Sequence, residues 1–387
     1  MMHQASVGNG RSAGRSAVAI EELTVAHIIG RLNIGGAERH CVSLLNATPA
    51  RKKIAIFVSG ESAATNLHDE LQGDVIQIQC RVRKRSFLLD IWKLARLLRE
   101  YDCDVVHSHM YWANLASSCA GRLASVPVVV TTEHGENHWK KPIHRWVERN
   151  VISRVADMRF CVSEKIRQQR ITKDGIPPPK LALISNGTTM PDWPVDRKTD
   201  GRIVIGSIGR FVKQKNLTML IDAIDLLRRR GLPVYGCLVG DGPEMQAIRE
   251  SIAARGLEDK IELPGMVTNV DEWYRKFSVY ACSSSEEGLP VSIIEAMSYG
   301  LPVITTDVGA IATAVRDTVD GFVVPANNVE SFADALAKVV EHPDVGAKIG
   351  LNGRRRVEEA FSIEAVAESY AGWYCQIAGS KSAFSAA

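Results

Sequence analysis

Several features are scarce in this 387-residue chain, and each scarcity removes a class of function. Its eight cysteines stand singly at 41, 80, 103, 119, 161, 237, 282 and 375, with no Cys-x-x-Cys. That pattern suggests reduced, mostly buried thiols and a cytosolic address, not a disulfide framework. No ligand pair has zinc or iron–sulfur spacing, so no metal site is expected. No run of eighteen apolar residues is present to span a bilayer. The start, MMHQASVGNGRSAGRSAVAIEEL, lacks the apolar block and cleavage site of a secretory signal, and residues 1–20 read as a disordered leader. The strand–helix junctions also lack Gly-x-Gly-x-x-Gly, which argues against a Rossmann dehydrogenase. No repeat at a solenoid period appears.

What remains has the balance of a soluble globular protein, with 45% hydrophobic and 24% charged residues. The length allows two domains, each with its own core. The net charge of +3 hides an asymmetry: residues 1–192 carry 26 Lys and Arg against 18 Asp and Glu, and residues 193–387 carry 21 against 26. A basic half joined to an acidic half often means that one face meets something anionic, with nucleic acid and an anionic membrane surface as the candidates.

Short β-branched runs alternate with helical periodicity throughout. Strands are predicted at 24–30, 53–59, 104–109, 127–134, 158–163 and 181–187, then at 202–209, 234–240, 260–265, 278–284, 302–307 and 321–325. Helices are predicted at 35–47, 87–101, 112–124, 140–155, 216–230, 243–255, 290–299 and 330–341, with a last one over roughly 362–377. Continuous apolar strands joined by helical crossovers make parallel sheets. Two such series imply an α/β protein of two doubly wound, Rossmann-like domains facing across a cleft, with ligands outside the carboxyl ends of the strands. The Pro- and Asp-rich stretch near 188–200 is the linker. The expected units are 21–190, 191–361 and a C-terminal helix and tail over 362–387, which could pack on either domain.

Three strand-to-helix loops can carry chemistry. In GRFVKQKN (209–216), Arg210 and Lys215 precede a helix that Asn216 can cap. A helix N-terminus with two cations suits a diphosphate, although solvated loop cations would look the same. In LVGDGP (238–243) the turn is read as structural, with Pro243 at the first helical position. Gly35 and Gly36 also stand between strand and helix, where glycine permits close approach to a phosphate or sugar. The fullest signal is SSSEEGLPVSIIEAMSYGLPVITTDVGA (283–310). Glu287 falls in the loop and Glu295 just over one turn into the following helix. A carboxylate, acceptor-only, suits vicinal sugar hydroxyls, and the N–H groups of Gly288 to Val291 are free for phosphate oxygens.

Taken with DVVHSHMYWANL (104–115), TTEHG (131–135), CVSEKIR (161–167) and ISNG (184–187), these motifs resemble, in order and over about residues 24–370, the large family of retaining nucleotide-sugar glycosyltransferases numbered four. That family has the GT-B fold, with the donor nucleotide held by the carboxyl-terminal domain and the acceptor mostly by the amino-terminal one. By position, the resemblance implies that Arg210 and Lys215 bind the donor diphosphate, Glu295 the ribose hydroxyls and Glu287 the transferred sugar. The backbone of Gly288, Leu289, Pro290 and Val291 would approach phosphate and sugar. Gly265 and Met266 would line the base, and Gly36 would approach the diphosphate from the opposite domain. His134 matches the family's active-site histidine, with His107 and His109 as alternatives and a purely structural role open for each. One departure stands out: where many relatives have Gly-Gly-x-Pro-Glu, this chain reads VGAIATAV (308–315), a change expected to affect donor preference without touching the two glutamates.

The implied reaction is substitution at an anomeric carbon with a nucleoside diphosphate leaving, UDP being favoured. The nucleotide sugar is a substrate, and no cofactor is expected. No Asp-x-Asp is expected at the donor-side loops to hold Mg²⁺, so metal-independent transfer is expected. Two basic stretches, RVRKRSFLLDIWKLARLLREY (81–101) and HWKKPIHRWVERNVISR (138–154), could lie on anionic lipid or be merely solvated. The lipid reading implies a saccharide or lipid-linked acceptor in surface polysaccharide or glycoconjugate synthesis, with the protein peripheral on the inner face of the cell membrane. The alternatives are a nucleotide-sugar epimerase or phosphorylase of the same architecture and a basic nucleic-acid-binding module. The latter needs no glutamate pair and is disfavoured, so nucleic acid is not an expected partner.

Overall fold

A computed structural model describes residues 18–32, 35–59, 66–135, 139–196 and 201–385. Of the expected leader, all but residues 18–20 lie outside the described part, and Ile20 is buried against the first core.

The apolar runs form two separate parallel sheets. The first contains β1 (Thr24–Ile29), β2 (Lys52–Phe57), β3 (Val75–Gln79), β4 (Val105–His109), β5 (Val128–Glu133), β6 (Met158–Cys161) and β7 (Leu181–Leu183), in the order β3-β2-β1-β4-β5-β6-β7. The second contains β8 (Ile203–Ile208), β9 (Val234–Val239), β10 (Ile261–Gly265), β11 (Val279–Cys282), β12 (Val303–Thr306) and β13 (Phe322–Val324), in the order β10-β9-β8-β11-β12-β13. Every named strand pair is parallel. In each sheet the order reverses beside the first strand, between β1 and β4 and between β8 and β11. Open α/β sheets bind ligands at such a reversal, outside the carboxyl ends.

β1, β4 and β5 are buried along their whole length, as strands covered on both faces must be. The helix Leu217–Arg229 shows the matching logic: Leu220, Ile221, Ala223, Ile224 and Leu227 recur at helical spacing and bury against the second sheet. The last helix, Ile363–Ser385, settles which core it joins. Val366, Ala367, Tyr370 and Tyr374 pack with Val25, Val105, Val128 and Phe160 of the first sheet. The chain thus crosses between sheets twice, and the crossings are tied together. Thr188 N–H donates to the Phe361 carbonyl at 2.9 Å and Ile363 N–H to the Thr188 carbonyl at 2.9 Å.

The structure departs from the sequence reading in several elements. β3 and the helices Glu164–Thr172, Asp271–Lys276, Ile311–Ala314 and Pro343–Ala360 were not expected. The helix expected over 140–155 is broken into Pro142–Val147, a π-turn at Glu148–Ile152 and Ser153–Val155. Pro243 lies in the turn before the helix Met245–Ala253, not at its first position.

Candidate active site

The loop after β8 carries both expected cations. Lys213–Lys215 form a 3-10 turn, and Asn216 then takes a left-handed conformation with φ +47°. Asn216 does not cap the next helix with its side chain; its amide donates to Asn327 Oδ1 at 3.1 Å. The turn is stitched to the loop after β11 by Ser283 Oγ donating to the Lys215 carbonyl at 2.9 Å and by Ser285 N–H donating to the Gln214 carbonyl at 2.7 Å. This stitching sets Lys215 Nζ 2.6 Å from Glu287 Oε1, which also accepts from Ser284 Oγ at 2.6 Å. Burial alone pulls the ammonium's pKa down, but the Glu287 carboxylate more than offsets it and leaves Lys215 above the ordinary lysine value. Arg210 stands two residues beyond β8, exposed, with no side-chain hydrogen bond or ion pair among the described residues.

Glu287 and Gly288 are held from behind by the loop in which this chain departs from the common pattern. Ala310 N–H donates to the Gly288 carbonyl at 2.9 Å. Gly309 has φ +64°, and a Cβ there would collide with the Glu287 carbonyl. The loop therefore does touch the backbone of the first glutamate, contrary to expectation. Buried Ala310 supports the loop, while Ala312 and Thr313 are exposed. In front, a Cβ built on Gly288 would stand 3.6 Å from the His134 carbonyl oxygen of the opposite domain.

Leu289 is buried and Pro290 caps the helix Val291–Ser298. Glu295 sits one turn in, half-buried, on the face shared with Val291 and Tyr299. Its Oε2 accepts from Tyr274 Oη at 2.7 Å. Burial raises the carboxyl's pKa, and the Tyr274 hydrogen bond and the Arg39 guanidinium work against that rise. Arg39 comes from the facing helix, Gly36–Ala47, for which Gly35 is the N-cap. A Cβ on Gly36 would meet Val291 Cγ2 at 3.4 Å, so the starts of two helices from two domains are adjacent. Met266, 62% exposed, follows β10 directly.

A cavity of about 750 Å³ lies between the domains, lined by Arg39, His40, Thr188, Tyr274, Val291 and Glu295 among others. It does not reach Lys215, Glu287 or Arg210. Of the expected residues, Lys215 and Glu287 fall in one cluster with Ser284, and Glu295 in another with Arg39 and Tyr274, the two joined by the backbone from Gly288 to Val291; Arg210, Met266 and His134 belong to neither. Neither Tyr274 nor Arg39 was anticipated. Arg39 had a faint signal, one turn beyond the paired glycines; Tyr274 had none.

His134 is half-buried, and both its ring nitrogens are engaged. Nδ1 lies 3.2 Å from Asn186 Oδ1 and Nε2 lies 3.1 Å from His109 Nδ1. His109 Nε2 is in turn 3.0 Å from His27 Nδ1. Protons follow in order: an amide oxygen only accepts, so His134 donates from Nδ1, His109 donates to His134, and His27 donates to His109. His107 bridges Tyr374 Oη and Thr132 Oγ1, each at 2.6 Å. Burial lowers every one of these imidazoles, to about 4 for His134, about 3 for His27 and for His40, and well below 6.5 for His107 and His109. His134 is thus neutral at pH 7 and presents its backbone carbonyl to the Gly288 loop.

Beside it, Glu133 is buried with Lys140 at 3.3 Å, and Lys140 also reaches Glu148 at 2.6 Å. Lys140 is therefore internal and adds nothing to the surface charge of its basic stretch. The Asp102-Cys103-Asp104 triplet, passed over in the sequence, precedes β4. The Asp104 carboxylate accepts from the Thr24 N–H at 2.8 Å, at the sheet end remote from the cleft.

Residues 34–189 match the family described as Glycosyltransferase Family 4, and residues 192–356 match Glycosyl transferases group 1. Among curated relatives, an Escherichia coli UDP-Gal:alpha-D-GlcNAc-diphosphoundecaprenol alpha-1,3-galactosyltransferase is 24% identical, over 88% of this chain and 94% of its own. A Campylobacter jejuni alpha-1,4-N-acetyl-D-galactosaminyltransferase acting on a diphosphoundecaprenol-linked saccharide is 25% identical, over 90% and 97%. Among solved structures, Anabaena HepE in complex with UDP and glucose superposes with a TM-score of 0.78 at 19% identity, covering 91% of this chain and 99% of that one. Two matched families end to end, and two doubly wound sheets facing across a cleft, lead to one assignment: the chain belongs to the group 1 (family four) glycosyltransferases and is an enzyme of the GT-B fold.

Proposed function

We propose that this enzyme moves a sugar, with retention at the anomeric carbon, from a nucleoside diphosphate donor to a saccharide or lipid-linked acceptor in cell-surface glycan synthesis. The observation that carries the reading is the approach of two helix starts, Gly36 and Val291, within one side chain of each other. Helix N-termini attract anions through free N–H groups and the aligned dipole. Lys215, bonded to Glu287 by one of its three donors, has others for a phosphate oxygen. Cleavage of the donor builds negative charge on that oxygen, and preorganised cations and N–H groups lower its cost. Glu287 then positions or stabilises the sugar and Glu295 takes the ribose hydroxyls. Residues 21–190 serve the acceptor and 191–361 the donor. UDP is the favoured nucleotide, because the Escherichia coli relative is named for a UDP-sugar and the Anabaena structure holds UDP. The roles given to the protein need no metal.

The test is direct. Lys215→Ala and Glu287→Ala should each reduce transfer from a UDP-sugar by at least 10²-fold, the scale of losing one transition-state contact. Melting temperature and circular dichroism should stay close to wild type. Turnover near the wild-type rate in either variant counts against the assignment.

The acceptor side supports a membrane partner. Leu88, Leu89, Trp92, Trp112, Trp139, Ile143 and Trp146 are all exposed on the first domain. Contacts join part of this surface: Lys84 lies over the Trp112 ring at 4.8 Å, and Tyr111 meets Trp139 at 5.4 Å. Exposed aromatic and aliphatic residues among Arg81, Lys84, Arg85 and Lys141 suit an anionic bilayer surface. No helix among the described residues is long and apolar enough to cross a membrane. Sedimentation with anionic vesicles, weakened by salt and by a Leu88→Ser/Trp92→Ser double substitution, is the expected result. Equal sedimentation with neutral vesicles removes the reading.

A further inference from the structure

One cluster of coordinating groups lies outside the roles given above. His27 on β1, Cys41 in the helix Gly36–Ala47 and His109 at the end of β4 each offer a ligand atom, all within 4.8 Å of one another. All three side chains are buried. His27 Nδ1 and His109 Nε2 stand 3.0 Å apart, and the other nitrogen of His27 has no hydrogen-bond partner. That nitrogen can take up the proton which a metal ion displaces from His27 Nδ1. Two neutral imidazoles and a thiol suit Zn²⁺ and similar d-block ions, whereas Mg²⁺ and Ca²⁺ take oxygen ligands. The sequence could not show this site. Its ligands come from three elements and have no common spacing.

We propose that His27, Cys41 and His109 bind one zinc-like ion, and that filling the site represses sugar transfer. On binding, the Cys41 thiol releases its proton to solvent. The proton between the two imidazoles moves to the unpartnered His27 Nε2, and the freed lone pairs go to the metal. His109 keeps its hydrogen bond to His134. Tetrahedral metal–ligand bonds of about 2.0–2.3 Å put ligand atoms about 3.3–3.7 Å apart, so the two imidazole nitrogens must part slightly from 3.0 Å while Cys41 Sγ closes by up to roughly 1 Å. Cys41 rides on the helix whose first residue, Gly36, abuts Val291. Drawing that helix toward the first sheet moves Gly36 away from the donor loop, so the ion and the donor oppose each other through one element. His40 lines the cleft, its ring meets His134, and His134 meets His109, so a line of imidazoles leads from the cavity to the site.

The experiment uses the full reduced chain, freed of metal by a chelator, and Co²⁺ alone as the probe. Wild type should take up one equivalent and show thiolate-to-cobalt charge transfer together with tetrahedral ligand-field bands. Cys41→Ala should lose the charge-transfer band, and His27→Ala should bind at least ten-fold more weakly. Cys41→Ser replaces Cys41→Ala if that variant does not fold. Absence of the band in wild type, or its persistence without Cys41, overturns the site. In the second arm, one equivalent of Zn²⁺ should suppress wild-type transfer at least ten-fold and leave Cys41→Ala at its unchanged basal rate. Equal inhibition of both overturns the regulatory claim. Only this arm rests on the transferase reading; the cobalt spectrum stands without it, so the two failures are distinguishable.

Discussion

Tyr274 shows how much one hydroxyl can decide. Its ring is fully buried and stacked on Tyr299 at 5.1 Å, so the phenol cannot turn away from Glu295. The hydroxyl has one proton, with Glu295 Oε2 at 2.7 Å and the Ser292 carbonyl at 3.2 Å among the acceptors in reach. The shorter, charge-assisted bond takes the proton. One carboxylate oxygen is thereby held, leaving the other for the ribose hydroxyls of the proposed donor. Hydrogen bonds to charged groups contribute about 1.5–3 kcal/mol, of which a part should appear in donor binding. Tyr274→Phe should raise the donor KM about ten-fold, change kcat less than three-fold, and leave the melting temperature within a few degrees. A kcat loss without a KM change would mean that Glu295 acts on the reacting centre and not on the nucleotide.

At the scale of elements, what was readable in the sequence is what local chemistry decides. The buried strands were legible because covered parallel strands are continuous apolar runs. Lys215, Glu287 and Glu295 stood out because strand–loop–helix joints, with their glycines and prolines, mark where a site can sit. β3 escaped for the opposite reason. It is an edge strand, VIQIQ, whose two glutamines are exposed, so it reads as polar. Pro343–Ala360 escaped because Gly346, Gly350 and Gly353 look like helix breakers. The structure gives them another use: a Cβ on Gly350 would collide with the Gly300 carbonyl, and one on Gly346 would press into Val339. The glycines let this helix lie directly on the turn that ends Val291–Ser298. Local propensity is overruled there by close packing, which no single-sequence period reveals. Arg39, Tyr274 and the partners of His134 were illegible for a related reason: each matters through an element far away in the chain.

At the scale of the whole molecule, the two halves differ in what acid does to them. His27, His40, His107, His109 and His134 all belong to the first half, and burial holds each one neutral; the second half has only the exposed His342. A histidine whose folded pKa lies below its unfolded value stabilises the fold above about pH 6.5, and that contribution is lost as pH falls toward the folded pKa. With folded values of about 3 for His27 and His40 and about 4 for His134, the window runs from about 6.5 down to about 3–4. Each group costs about 1.4 kcal/mol per pH unit in that window. Glu38, Asp174 and Glu295 are raised by burial and act in reverse, gaining stability on protonation, but only below their raised values. The imidazoles are more numerous and begin to titrate at higher pH. Lowering the pH from 7.5 to 5.5 should therefore remove several kcal/mol from the first half, a large part of the roughly 5–15 kcal/mol of a typical domain. The second half should be little affected. Limited proteolysis at pH 5.5 should then cut first within 66–185 and spare 201–360, while at pH 7.5 both resist. Cleavage that begins in the second half, or resistance of the first half unchanged down to pH 5.5, would show that the histidine array is not held neutral and that the tautomer order assigned to His27, His109 and His134 is wrong.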